Sequence, residues 1–160
     1  GDVLDSAAVE AAIAGQEAVL CTIGAGAGMT TLREDATRNI VQAMDRTGVQ
    51  RLICQSSLGV GDSRANLGAF TRHVIVGRFL RHAFADHERQ EAVIEQSPLK
   101  WTIVRPPHLL DTPRTGVYRH GFPPKDRDIK GKISRADVAD FMLKQLTDDS
   151  YLQSTPGVSY

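Results

Sequence analysis

Three strand-like segments, at 18–23, 49–54 and 101–104, divide the chain, and the stretches between them space their apolar residues helically rather than alternately. The first run, Ala-Val-Leu-Cys-Thr-Ile, reads as a strand buried on both faces, since a strand with one wet face would alternate. It stops at the glycine-rich turn Gly24, Ala25, Gly26, Ala27, Gly28. Over 30–47 the positions Leu32, Ala36, Ile40, Ala43 and Met44 fall on one helical face, and Gly48 stands where a left-handed C-cap belongs. The second strand, 49–54, ends at Gln55, Ser56 and Ser57. Two helical stretches follow. One spans 70–84, with Phe70, Val74 and Phe84 partly covered. The other spans 87–96 and is stopped by Pro98, which disfavours helix in the residue before it. Residues 101–104 make the third strand, closed by Arg105, Pro106 and Pro107. A short helix at 6–14, opened by Asp5 and Ser6, precedes all of these. Near the end, Ser134 with Asp137 forms a capping box ahead of the apolar face Val138, Phe141, Met142 and Leu146.

Strands alternating with helices, joined by crossovers long enough to return each strand parallel to the last, predict an α/β fold built on a doubly wound parallel sheet. No linker or internal repeat divides the chain, so 1–160 is read as one domain. Ligands of such sheets bind beyond the carboxyl ends of the strands. That places 24–28, 55–57 and 106–108 around one crevice.

Charge narrows the partners. Nineteen Lys and Arg balance nineteen Asp and Glu, so the basic surplus that gathers nucleic acid or an anionic membrane surface is missing. No apolar run reaches the roughly 18 residues of a membrane span. Cys21 and Cys54 are too few for a disulfide framework or a zinc site and fit a reducing cytoplasm. The expected partner is a small molecule, and the expected state a monomer or weak homo-oligomer. The His, Arg and Phe residues of 70–89 form a basic aromatic stretch, which net neutrality assigns to a partly solvated helix or a flap over substrate.

At the strand ends, the glycine cluster matches neither a Walker loop nor the spaced glycines of a pyrophosphate fingerprint. A flexible turn and a ligand contact both remain open there. Ser56 and Ser57 could bond a carboxamide, a carbonyl or a flavin, although strand-end serines more often serve the local turn. His108 follows two prolines whose fixed φ holds its imidazole over the crevice mouth; a plain surface histidine is the competing reading. Cys54, at the end of an apolar strand, reads by default as an inert buried thiol. Neither a Gly-x-Ser-x-Gly elbow nor a metal-binding His-Glu-x-x-His or Cys-x-x-Cys occurs.

The segments 1–4, 14–19, 38–41, 48–49, 56–57, Trp-Thr-Ile-Val-Arg-Pro-Pro-His at 101–108 and Ser-Arg-Ala-Asp-Val-Ala at 134–139 resemble, in order, the atypical short-chain dehydrogenases with a Rossmann-like NAD(P)H-binding fold. The likeness is greatest to their flavin reductase (biliverdin-IXβ reductase) branch. This resemblance implies an adenine-side position for Asp2 and Val3, a ribose-side turn at Ile23 and Gly24, and a cofactor-facing Arg33. It implies that Cys54 and Ser56 lie near the nicotinamide, that Pro106, His108 and Leu109 touch the nicotinamide end, and that His87 is a further cofactor-side residue. Ser56 and His108 are the implied catalytic pair, NADP the implied cofactor with NAD possible, and flavin the implied substrate.

The Tyr-x-x-x-Lys pair of ordinary short-chain dehydrogenases is missing from Asp86-His87-Glu88-Arg89-Gln90-Glu91. Hydride transfer to flavin N5 needs no such pair, because the remaining proton can come from water or from His108. The segment between Ser56 and Asp86 is longer than in the animal enzyme, which weighs against tetrapyrrole as the acceptor. A non-catalytic NAD(P)-binding redox-sensing regulator of the NmrA-like type is the alternative function, and a flavodoxin-like sheet the alternative fold. The resemblance also places Gly1 at the end of a third strand, so that a preceding βαβαβ half of roughly 50–60 residues is absent. The expectation is a fragment of a larger reductase whose strand at 18–23 presents an apolar edge.

Overall fold

A computed structural model describes residues 1–26, 28–126 and 128–160; Ala27 of the glycine cluster lies outside the described residues. Its centre is a parallel sheet of β1 (Ala18–Cys21), β2 (Arg51–Gln55) and β3 (Lys100–Val104), in that order. Ala18 pairs with Arg51 and Arg51 with Lys100, so the three strands start level. Backbone bonds from Ile103 to Ser154 and from Arg105 to Pro156, at 3.0 and 2.9 Å, continue the sheet beyond β3 into the C-terminal segment.

The pleat separates two cores. Leu52, Cys54, Trp101 and Ile103 face α1 (Ser6–Ile13), α2 (Leu32–Thr47) and α3 (Arg81–Glu95), where Val9, Ile13, Ala43, Met44 and Ile94 are buried. Ile53 and Val104 face the opposite side and pack with Ile133 and with Val138, Phe141 and Met142 of α4 (Arg135–Lys144). Helices on both faces of a parallel sheet make the doubly wound arrangement that the periodicity predicts. The predicted caps hold as well. Asp5 accepts the N–H groups of Ala7 and Ala8 at 3.0 and 3.3 Å, and Gly48 ends α2 at φ 77°, in the left-handed region.

Four expectations need correction. Residues 18–23 are not a strand buried on both faces: β1 is four residues long and Leu20 is 39% exposed, because the second core covers β2 and β3 but not β1. Phe70 is not partly covered but 69% exposed; the stretch after it is a π-helix, Thr71–Phe79, whose wider turn buries Val76 instead. The last helix of the first half starts at Arg81, six residues before His87. Leu146, placed on the face of α4, lies beyond its end and is half-exposed. Small pairings outside the main sheet went unforeseen: β4 (His108–Leu110) runs parallel to β6 (Lys132–Ser134), and β5 (Arg119–His120) antiparallel to β7 (Val158–Ser159). No helix among the described residues is long and apolar enough to cross a membrane.

Candidate active site

The carboxyl ends of β2 and β3 stay laced together past the strands. Ser56 N donates to Val104 O and Leu58 N to Pro106 O, each at 2.8 Å. This pairing buries Ser56 at the strand end, where it is 3% exposed and its Oγ has no hydrogen-bond partner among the described residues. A buried hydroxyl left unpaired costs about 1–3 kcal/mol, so such a group points to a ligand or ordered water as its partner. The local-turn role that usually claims strand-end serines is therefore not what Ser56 does here. A turn role does belong to Ser63, whose Oγ accepts Gly59 N at 2.8 Å and donates to Val60 O at 2.6 Å.

A cleft of about 410 Å³ opens beside these ends. Leu58, Leu67, Ile75, Val76, Leu80 and Phe84 give it apolar walls, and its polar groups are those of Ser57, Asn66, Thr71, His108 and Lys130. Its size lies within the range of small-molecule sites, and apolar walls with few polar groups are their usual composition. The π-helix and the start of α3 supply one wall, through Thr71, Ile75, Val76, Leu80 and Phe84. His108 is exposed, begins β4 and borders this cleft together with Pro107. A hollow of about 470 Å³ beside Thr115, Tyr118 and Tyr160 shares Lys130 with the cleft but none of the strand ends.

The wall is anchored by Arg105. Its guanidinium donates to both oxygens of Glu91, at 3.0 and 2.6 Å, and to Asp62 at 2.5 Å. Burial opposes the charge, yet the two carboxylates outweigh it and hold the Arg105 pKa above its ordinary value. Gly61, at φ +54°, lies so close that a Cβ there would stand 3.0 Å from the guanidinium. Arg105 thus ties β3, α3 and the 3-10 turn Gly61–Asn66 together, and no local pattern in the sequence announces the pairing.

Arg33 and His87 belong to a second cluster, where β1 passes into α2. Arg33 is 6% exposed; its Nη1 donates to Asp86 at 3.2 Å and its Nη2 to Ala25 O at 3.0 Å, while Nε has no partner. It therefore clamps the glycine-rich turn to α3. His87 is half-buried and its Nδ1 lies 3.2 Å from Gln90 Oε1. Gln90 spends its amide N–H on Thr37 Oγ1 at 3.1 Å, so Oε1 can only accept, and the His87 proton sits on Nδ1. Burial, reinforced by the Arg33 charge, lowers the His87 pKa to about 4. Near neutral pH the ring is uncharged and presents Nε2 as an acceptor. Ile23, Gly24 and Gly26 border the same turn, and a Cβ on Gly24 or Gly26 would meet nothing within 4 Å, leaving room for a ligand against the backbone.

The remaining sequence-identified residues are spread more widely. Cys54 is fully buried in the first core, directly opposite Cys21 on β1. Leu109 is half-buried against the second core. Asp2 and Val3 line a separate groove of about 280 Å³ with Val9, Ile13, Val19 and Ile40. The structure brings Ser57, Pro107 and His108 to one cleft and Arg33 and His87 to one cluster. Asp2 and Val3 join neither.

A family model described as NAD(P)H-binding matches residues 1–149. Among solved structures, ChuY from E. coli CFT073 is 25% identical with a TM-score of 0.79, over 99% of this chain and 74% of that one. ChuY from E. coli O157:H7, described as an anaerobillin reductase, is 25% identical with a TM-score of 0.78, over 99% and 72%. A wide-type short-chain dehydrogenase/reductase from Veillonella parvula DSM 2008, solved in complex with NADP, is 19% identical with a TM-score of 0.80, over 100% and 70%; at that identity the likeness is one of fold.

Proposed function

The chain belongs to the NAD(P)H-binding family, and on that premise we propose that it serves an NAD(P)H-dependent reductase acting on a flat, conjugated acceptor of the flavin type. One observation carries the reading: an apolar cleft opens at the ends of β2 and β3, with His108 at its border and an unpartnered Ser56 hydroxyl in the strand end beside it. When bound, the dinucleotide supplies the hydride, and the protein's part is binding, orientation and exclusion of water. The residues present fit such a cofactor. Gly24 and Gly26 leave backbone open to approach, His87 Nε2 accepts a hydrogen bond from a hydroxyl or amide, and Ser56 Oγ is free to bond a carboxamide or the acceptor.

On the acceptor side, Leu58, Ile75 and Phe84 offer apolar surface to a ring system, and the exposed imidazole of His108 is placed to hand a proton to the reduced product. NADP is the preferred cofactor and the cytoplasm the preferred site; the two free cysteines support the latter. The anaerobillin reductase among the structural neighbours makes a linear tetrapyrrole the second acceptor to try.

The test mixes the protein with NADPH and either flavin or a linear tetrapyrrole, and follows the nicotinamide absorbance band. Acceptor-dependent loss of that band is expected, fastest with flavin. Tight NADPH binding with no oxidation by either acceptor would overturn the enzyme and leave the non-catalytic regulator. That reading draws on Asp86, Gln90 and Glu91, which are all engaged in internal bonds where a catalytic pair would otherwise stand.

A further inference from the structure

Cys21 and Cys54 are register partners on the adjacent parallel strands β1 and β2. Both thiols are free and both belong to the same core, so their side chains leave the sheet on the same face. Neighbouring strands lie about 4.7–4.9 Å apart, and disulfides span Cα separations of roughly 4.4–6.8 Å. We propose that Cys21 and Cys54 are a site of reversible oxidation, in which a hydroperoxide converts the two thiols to a disulfide joining β1 to β2 beneath the crevice.

The surroundings of Cys21 distinguish it from an inert buried thiol. His87 Nδ1 donates to Gln90 Oε1, and Gln90 Nε2 donates to Thr37 Oγ1. The Thr37 hydroxyl, which accepts this bond, is among the groups that favour the Cys21 thiolate. Gln90 and Thr37 are fully buried, so the bonds from His87 to Thr37 lie in the interior of the protein. The Cys54 S–H donates to Gln55 O at 3.7 Å; the Cys54 thiol beside Cys21, with the Ile23 N–H and the Thr37 hydroxyl, outweighs burial and lowers the Cys21 pKa, whereas the Cys21 thiol and burial raise that of Cys54. Cys21 is therefore the nucleophile and Cys54 the resolving thiol. Cys21 is 3% exposed and Cys54 fully buried, so the oxidant must be small and reach them through local opening at the end of β1.

The chemistry balances with hydrogen peroxide as the oxidant. The Cys21 thiolate attacks one peroxide oxygen and the O–O bond breaks, giving a sulfenic acid and, after protonation of the leaving hydroxide, water. Cys54 then forms the S–S bond and expels the sulfenic oxygen as a second water. Two thiols lose two electrons and two protons, and one peroxide becomes two waters.

The experiment exposes the whole chain to hydrogen peroxide, quenches with catalase, denatures, alkylates with a maleimide and weighs the intact protein. A monomer two hydrogens lighter, with neither cysteine alkylated and both restored by dithiothreitol, is expected. In Cys54→Ser the reaction should stop at a Cys21 sulfenic acid trapped by dimedone, and in Cys21→Ser the Cys54 thiol should survive. The proposal fails if the parent protein keeps both thiols, forms only intermolecular disulfides, or carries Cys21 to the sulfinic acid without the loss of two hydrogens. The parent measurement decides these outcomes even if a serine variant does not fold.

Discussion

The carboxylate of Asp86 on α3 does for Arg33 what a residue of α2 itself would normally do. It accepts the Arg33 guanidinium at 3.2 Å and also the backbone N–H groups of Arg33 and Glu34, at 3.2 and 3.3 Å. Thr31, at the N-cap position, makes no side-chain cap bond, so a residue more than fifty positions away closes the first turn.

Asp86→Asn should therefore cost more than an ordinary cap. The substitution removes one partner of a buried pair and leaves Arg33 charged and buried, a change that costs about 3–5 kcal/mol. Urea denaturation followed by circular dichroism would measure it. A shift in line with a solvent-exposed ion pair, about 0–1 kcal/mol, would contradict the assignment.

Arg105 offers an internal comparison, because its two carboxylate partners differ in exposure. The Glu91 side chain is 5% exposed and that of Asp62 67%. Glu91→Gln should destabilise by about 3 kcal/mol, by the same reasoning as for Asp86, and Asp62→Asn by less than about 1 kcal/mol. Asp62→Asn should instead loosen the 61–66 turn beside the cleft, seen as faster amide exchange there with the global midpoint nearly unchanged.

The His87 pKa of about 4 lies below the roughly 6.5 of an unfolded histidine. The unfolded chain thus binds the proton more readily. The neutral ring contributes its full stability above about pH 6.5, and this contribution is lost as the pH falls toward 4. Stability measured across that window should decline in the parent and decline less in His87→Gln. Parallel curves would mean that His87 titrates normally.

Asp137 sets a different limit. Burial opposes its charge, but bonds from Tyr160, Gly116, Thr115 and Ser134 hold its carboxyl well below the usual range. The Tyr160 hydroxyl donates at 2.6 Å and fastens the C-terminal segment to α4. A depressed carboxylate stabilises above its unfolded pKa, near 3.9, and loses that contribution as the pH falls below it. Tyr160→Phe should cost about 1.5–3 kcal/mol at neutral pH, as hydrogen bonds to charged groups do, and should reduce the acid sensitivity. Unchanged melting across pH 3–7 would refute this.

Much of this architecture could be read before folding, because it rests on local signals. The apolar runs of β2 and β3, the Gly48 cap and the Ser134–Asp137 box each depend on neighbours within a few residues. What escaped is set by distance. Asp86 meets Arg33 across 53 positions, and nothing near either residue marks the other. The π-helix has the period of neither an α-helix nor a strand, so periodicity does not mark it, and Phe70 just before it is exposed rather than partly covered. Ser57 and His108 stand at strand ends that the fold brings to one cleft, and strand position alone marks both. That the Ser56 hydroxyl has no partner could be learned only from the packed chain.

That missing partner gives the most discriminating substitution. Ser56→Ala deletes a hydroxyl that bonds nothing among the described residues, so stability should not fall and should rise, by up to about 1–3 kcal/mol if no water pairs with it. If the hydroxyl bonds the cofactor carboxamide or the acceptor, kcat/KM for NADPH-driven flavin reduction should fall about tenfold, the worth of one such bond. His108→Ala should behave otherwise. With an exposed imidazole acting late as a proton donor, it should lower kcat by tenfold to a hundredfold, at the weak end of about 100- to 10,000-fold for acid–base catalysis because water can substitute. The Kd for NADPH should stay near that of the parent. Equal losses of kcat and NADPH affinity in His108→Ala would reduce His108 to a binding residue. A Ser56→Ala protein of parental activity would leave its orphaned hydroxyl to an ordered water.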